Sequence, residues 1–222
     1  MFEAFIAKEK AFRGKMGIIL LCIFVVMVLA IIGLIISEGE EIMGAIVLGL
    51  IGLVSLILGI VFITGGIKKS PIASLIEYCD NSANPAQKRE ELEQFYISTP
   101  MVEGIRVSDQ YIIIERNKRL TMFLRTSTVL WIYQHVTRHY SGIIPVGKSY
   151  SIMFGLTDGK RYPCSTVGKK ATLAMIEHIR IVVPYLIYGY SKEIESDFLY
   201  NQQNLVNAVI ARRNETLRYM QQ

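Results

Sequence analysis

The run Gly142-Ile143-Ile144-Pro145-Val146-Gly147-Lys148-Ser149 places two glycines, a lysine and a serine at the spacing of a phosphate-binding loop. In such a loop, backbone amides cradle the phosphates, the lysine reaches them, and the hydroxyl meets magnesium where a helix begins. The intervening residues do not suit that chemistry. Pro145 has no amide to donate, and Ile143, Ile144 and Val146 crowd the backbone. Residues 150–156 alternate as a strand where a helix should open, and no apolar strand ending in aspartate supplies a magnesium ligand. The segment reads as a connecting loop. A nucleotide-binding enzyme using 142–149 therefore ranks behind the readings below.

His135 and His139 lie four apart, a spacing that brings two rings to one metal on a helix. The local pattern predicts strand running into loop, which separates the rings, and no glutamate stands between them as in zinc proteases. His178, between Glu177 and Arg180, reads as a solvated helix position. No Ser/His/Asp or Cys/His grouping can be assembled. The three cysteines, Cys22, Cys79 and Cys164, have neither paired nor metal-like spacing, which points to a reducing compartment. The expectation is no enzyme: no catalytic residue, no metal and no cofactor.

Basic residues form the remaining candidate site. Arg116, Lys118 and Arg119 surround one predicted turn, Lys160 and Arg161 another, and Lys68 with Lys69 follow an apolar run. Turned toward a bilayer, these seven side chains could contact anionic headgroups. Another predicted turn, Ser108-Asp109, lacks such residues.

Two apolar runs, 16–37 and 42–67, must position everything downstream. Neither contains an ionisable group other than the Cys22 thiol, and each exceeds the roughly 20 residues that cross a hydrocarbon core. Only Glu38-Gly39-Glu40-Glu41 separates them, so they form an antiparallel transmembrane hairpin. Lys8, Lys10, Arg13 and Lys15 precede the first run and Lys68 and Lys69 follow the second, while the acidic tip has no cation. That asymmetry puts both termini in the cytoplasm and the chain in the inner or plasma membrane. The first run is too long for a cleavable signal peptide. Small residues offer close-packing faces: Ala30, Gly33 and Ser37 on the first helix, and Ala45, Gly49, Gly52 and Gly59 on the second. Gly65-Gly66 reads as a hinge. With no charge inside the spans, the hairpin reads as an anchor and not an ion pathway.

The 222-residue chain thus divides into a cytoplasmic segment (1–15), the hairpin (16–67), a helical linker (68–101), a β domain with a capping helix (102–184) and a C-terminal helical extension (185–222). Residues 68–222 hold 20 Lys and Arg against 14 Asp and Glu, a net of +6 too diffuse for nucleic acid. Ser70-Pro71 and Asn84-Pro85 signal two helix starts. Short β-branched and aromatic runs follow at 104–107, 110–115, 120–125, 129–133, 150–156 and 161–164, with Asn117-Lys118 and Asp158-Gly159 as turns. Leu173, Ile176, Ile179 and Val183 give one face to a closing helix, and a last helix runs from Ser191 to Met220.

This order, with Thr128-Val129-Leu130-Trp131-Ile132-Tyr133, Leu156-Thr157-Asp158-Gly159-Lys160 and the closing helix, resembles the pleckstrin-homology-like (PH-like) superfold over 102–183. It is similar in particular to bacterial membrane proteins that tether such a domain behind a transmembrane hairpin. The resemblance implies an α+β fold: the hairpin, then a PH-like β-barrel or sandwich with flanking helices. It also implies a non-enzymatic interaction or scaffold domain whose partners are the lipid bilayer and a protein in the membrane or cytoplasm, with no small-molecule substrate. The alternative is a module that senses anionic lipid.

Overall fold

Alanine and long unbranched side chains with no internal proline let the first helix begin well before the apolar run. In the computed structural model, which describes residues 1–36, 42–64 and 70–220, α1 spans Phe2–Ile36 and α2 spans Ile42–Thr64. The stretch 1–15, expected as a cytoplasmic segment with no assigned secondary structure, is helix from Phe2 onward, supported by an Arg13–Glu9 ion pair at 3.3 Å. At 35 residues α1 is about 52 Å long, well beyond a hydrocarbon core of ~30 Å. Both helices are long and apolar enough to cross a membrane. The acidic tip and the Gly65-Gly66 hinge lie outside the described residues.

Within the first compact unit, Met1–Asn81, the two helices run antiparallel. A Cβ on Gly17 would stand 3.2 Å from the Gly59 carbonyl oxygen, one on Gly52 would meet Met27 and Phe24, and one on Gly49 would meet Ile31. α3, Pro71–Asp80, starts where the Ser70 hydroxyl accepts the Ala73 amide, and it touches α1.

The second unit, Ser82–Gln222, opens with α4, Pro85–Ser98, capped by Asn84, whose side chain accepts the Gln87 amide at 3.2 Å. Three antiparallel strands follow: β1 Ile105–Val107, β2 Tyr111–Arg116 and β3 Arg119–Arg125. Asn117 and Lys118 both take positive φ, which a two-residue I′ hairpin turn requires. A second sheet has the order β6-β5-β4-β7, with β4 Val129–Ser141, β5 Ile144–Leu156, β6 Arg161–Ser165 and β7 Ile187–Tyr188. β7 lies parallel to β4, the others antiparallel.

No described strand pairs one sheet with the other, so the barrel form of the expectation is corrected to two separate sheets. They share one core. Ile105, Ile112 and Ile114 from the first sheet join Trp131, Ile132, Ile152 and Phe154 from the second, closed by Met175, Ile179 and Val183 from helix α5, Lys169–Val182, and its end. Of the face expected for this helix, Ile179 and Val183 are buried and Ile176 packs against the core, but Leu173 is exposed and Thr172 and Met175 are buried instead. The C-terminal helix is two, α6 Lys192–Tyr200 and α7 Gln202–Met220, broken at Asn201.

The largest departure is the connecting loop at 142–149. It is a hairpin: Ser141 pairs with Ile144 around Gly142-Ile143, with Gly142 at φ +64°, the first-position glycine of a II′ turn. Pro145 is tolerated because no described strand pairs with the outer edge of β5 there.

Candidate functional site

The expected basic site is not assembled in one place. Arg116 borders the Cys164-Ser165-Thr166 end of β6, whereas Arg161 opens that strand opposite Gly155. Arg116, Lys118 and Arg119 thus lie at one end of β6 and Lys160 and Arg161 at the other, about 13 Å apart by strand rise. Lys160 pairs with Asp158 at 3.3 Å and Arg161 with Glu195 at 2.9 Å. Lys68 and Lys69 lie outside the described residues. Of the packing residues, Gly52 and Gly59 sit in the α1–α2 contact and Gly49 at its margin; Ala30 is exposed and Gly33 meets nothing described within 4 Å. The contact glycine on α1 is Gly17, which the charged flank of the run had obscured. The side chain of Ala45 lies outside the described residues.

Neither enzymatic pattern forms its chemistry. Lys148 and Ser149 stand on an exposed strand, not at a helix start. His135 and His139 share one face of β4 but are about 13 Å apart by strand rise, and His139 Nε2 lies 2.9 Å from the Ser149 hydroxyl. His178 is half-buried, not solvated, and among the described residues its Nε2 has no hydrogen-bond partner.

What the fold does build is a groove of about 660 Å³ beside the short β7 strand. Tyr133 and Gln134 from β4 line it with Tyr188-Gly189-Tyr190, and α5 supplies Leu173, Ala174, Ile176, Glu177 and Arg180. That volume lies in the range of ligand-binding clefts. β7 pairs with β4 only at Trp131 and Ile132, so β4 is unpaired on this side from Tyr133 onward. The half-buried Gln134 has, among the described residues, no hydrogen-bond partner for its amide nitrogen.

An aromatic shelf holds the groove's end in place. Trp131 stacks on Tyr133 at 4.2 Å and on Tyr190 at 6.0 Å, and Phe198 of α6 tilts against Trp131 at 5.8 Å. The Tyr190 hydroxyl donates to Glu195, which also accepts from Arg161. Those two donors, Tyr190 first, hold the Glu195 carboxyl below its ordinary value, and the same bond raises the Tyr190 phenol. Burial pushes the Tyr188 phenol up; its hydroxyl donates to the Val183 carbonyl at 2.7 Å. Burial also pushes the Cys164 thiol up to about 11, which leaves it an unreactive core residue. Sequence reasoning missed this groove. The only trace was the aromatic, glycine-broken run 185–190.

These features define a class: a mixed α+β sheet domain with flanking helices, behind two helices long and apolar enough to cross a membrane. The chain belongs to the family described as a domain of unknown function, DUF6709, which matches residues 69–198. That range takes in both sheets, the groove and α3 through most of α6. No curated protein and no solved structure matches the chain.

Proposed function

We propose that this chain is a non-enzymatic, two-span cell-membrane protein of the bacterial type, displaying a PH-like interaction domain in the cytoplasm. The order of two strand meanders followed by the closing helix α5 supports the PH-like reading. The basic flanks and acidic tip support the orientation. A scaffold role is favoured over catalysis because the phosphate-loop spacing falls on an exposed ribbon and the paired histidines stand apart.

The observation that carries the proposal is the groove between α5 and the unpaired edge of β4. It offers what an extended polypeptide partner uses: open main-chain groups on a strand, an apolar wall at Leu173 and Ile176, and the Glu177–Arg180 ion pair at its rim. The full chain, extracted from its native membrane, should retain a specific protein that folded Leu173→Glu and Tyr190→Ala variants release. Recovery of no specific protein, or equal recovery by the variants, would overturn the proposal.

A further inference from the structure

Past the ends of β6 and β7, β4 and β5 continue alone as a two-stranded ribbon. β7 leaves β4 opposite Ile132, and β6 leaves β5 opposite Ser151. Every residue from 135 to 149 is exposed. A free two-stranded ribbon is marginally stable in water, and this one ends in apolar side chains: Ile143 is 95% exposed, Ile144 64% and Val146 62%. A cluster of that kind on a protein surface marks a docking site.

The charges behind that end indicate what it docks on. Arg138 and Lys148 are register partners, directly opposite each other on one face of the ribbon. Like charges so placed repel, and among the described residues neither has an ion-pair partner. From Arg116 to Thr157 the sequence has no carboxylate at all, so nothing along the ribbon can neutralise them. A second copy of the ribbon would make this worse, by bringing four cations together. An anionic surface relieves it.

We propose that the β4–β5 ribbon docks on an anionic lipid surface. Ile143, Ile144 and Val146 enter between the headgroups, and Arg138 and Lys148 meet lipid phosphates. The spacing fits, because three residues of strand put the cation pair about 10 Å behind the turn, near headgroup depth when the tip reaches the acyl boundary. Insertion stops there. The outer edges of the ribbon carry unpaired N–H and C=O groups that cannot enter hydrocarbon. The apolar spans of the same chain would tether the domain to a membrane, and each cation near an anionic leaflet adds attraction. This site is separate from the groove, and its test does not depend on a protein partner.

Ile143→Trp in the full chain adds one reporter to the single native tryptophan, Trp131, which is fully buried. The protein is reconstituted in vesicles of phosphatidylcholine alone or with phosphatidylglycerol, each with and without acyl-chain-brominated lipid. In the anionic vesicles the added emission should shift to the blue and be mostly lost to brominated lipid. Arg138→Glu/Lys148→Glu should abolish both effects while leaving the circular dichroism unchanged. Emission typical of a water-exposed indole in both vesicle types would overturn the proposal. So would a blue shift that free phosphate removes, or one that grows with protein density at fixed lipid composition, which would assign the tip to a soluble anion or to a second copy.

Discussion

The indole N–H of Trp131 donates to the carbonyl oxygen of Gly189 at 2.5 Å, joining residues 58 positions apart. This bond fastens the end of β7 against the start of β4 and thereby sets one wall of the groove. Trp131→Phe removes the donor, strands a carbonyl and trims the stacked core, a loss of about 1–3 kcal/mol. The expected result is a lower unfolding midpoint of the domain, with early hydrogen exchange at Ile187 and Tyr188 read by mass spectrometry.

A second contact joins the same face of that sheet to α6. A Cβ on Gly155 would stand 2.8 Å from Phe198 Cε2, and that ring is wedged against Trp131. Gly155→Ala should therefore destabilise by about 1–3 kcal/mol through overpacking. Adding Phe198→Leu should make the double variant less destabilised than the sum of the two single ones in chemical denaturation. Strict additivity would show that α6 does not press on the sheet.

Glu195 gives the shelf a defined acid limit. Its folded-state pKa lies below the ordinary value of 4.5, first because of the Tyr190 hydroxyl and then Arg161. A carboxylate depressed in this way adds stability that is complete above about pH 4.5 and is lost as pH falls through the folded value. Trp131 fluorescence should report a small transition below pH 4.5 that Glu195→Gln removes. The same transition in Glu195→Gln would assign it to another group.

The membrane hairpin separates its glycines by position. Gly17→Leu should push α1 from α2, since even a Cβ there meets Ile63 and the Gly59 carbonyl. The thermal midpoint in detergent should fall, by about 1–3 kcal/mol in stability. Gly33→Leu, with nothing described within 4 Å, should leave it unchanged. Equal effects at both positions would mean that the helices meet on a different face.

Magnesium nucleotide should leave the unfolding of the full chain unaltered, and Lys148→Ala should make no difference to that outcome. Lys148 sits across the ribbon from Arg138, with strand on both sides of it. A nucleotide-dependent rise in midpoint that Lys148→Ala abolishes would restore phosphate binding to residues 142–149.

The apolar runs, the caps at Ser70, Asn84 and Ser191, and the turns at Asn117-Lys118 and Asp158-Gly159 were legible in the chain. Each is a local feature: a capping oxygen and its amide lie three residues apart, and a turn needs only its own φ angles. Strand positions with a buried face were legible for the same reason, as at Ile152 and Phe154, which alternate toward the core. The ribbon was not. Its side chains face solvent on both sides, so no burial alternation marks residues 135–149 as strand, and a proline in their midst argues against it.

Contacts between distant segments were decided only by tertiary structure. Sequence periodicity placed Leu173 on the inner face of α5, but the helix docks with Met175 and Ile179 inward and leaves Leu173 on the groove wall. The two basic turns, each a candidate for headgroup contact, lie at opposite ends of β6. The two-residue strand β7 carries too little pattern to read. It exists because the Trp131 indole and the edge of β4 capture it from far along the chain, and a pairing of that span depends on chain closure that local residues do not encode.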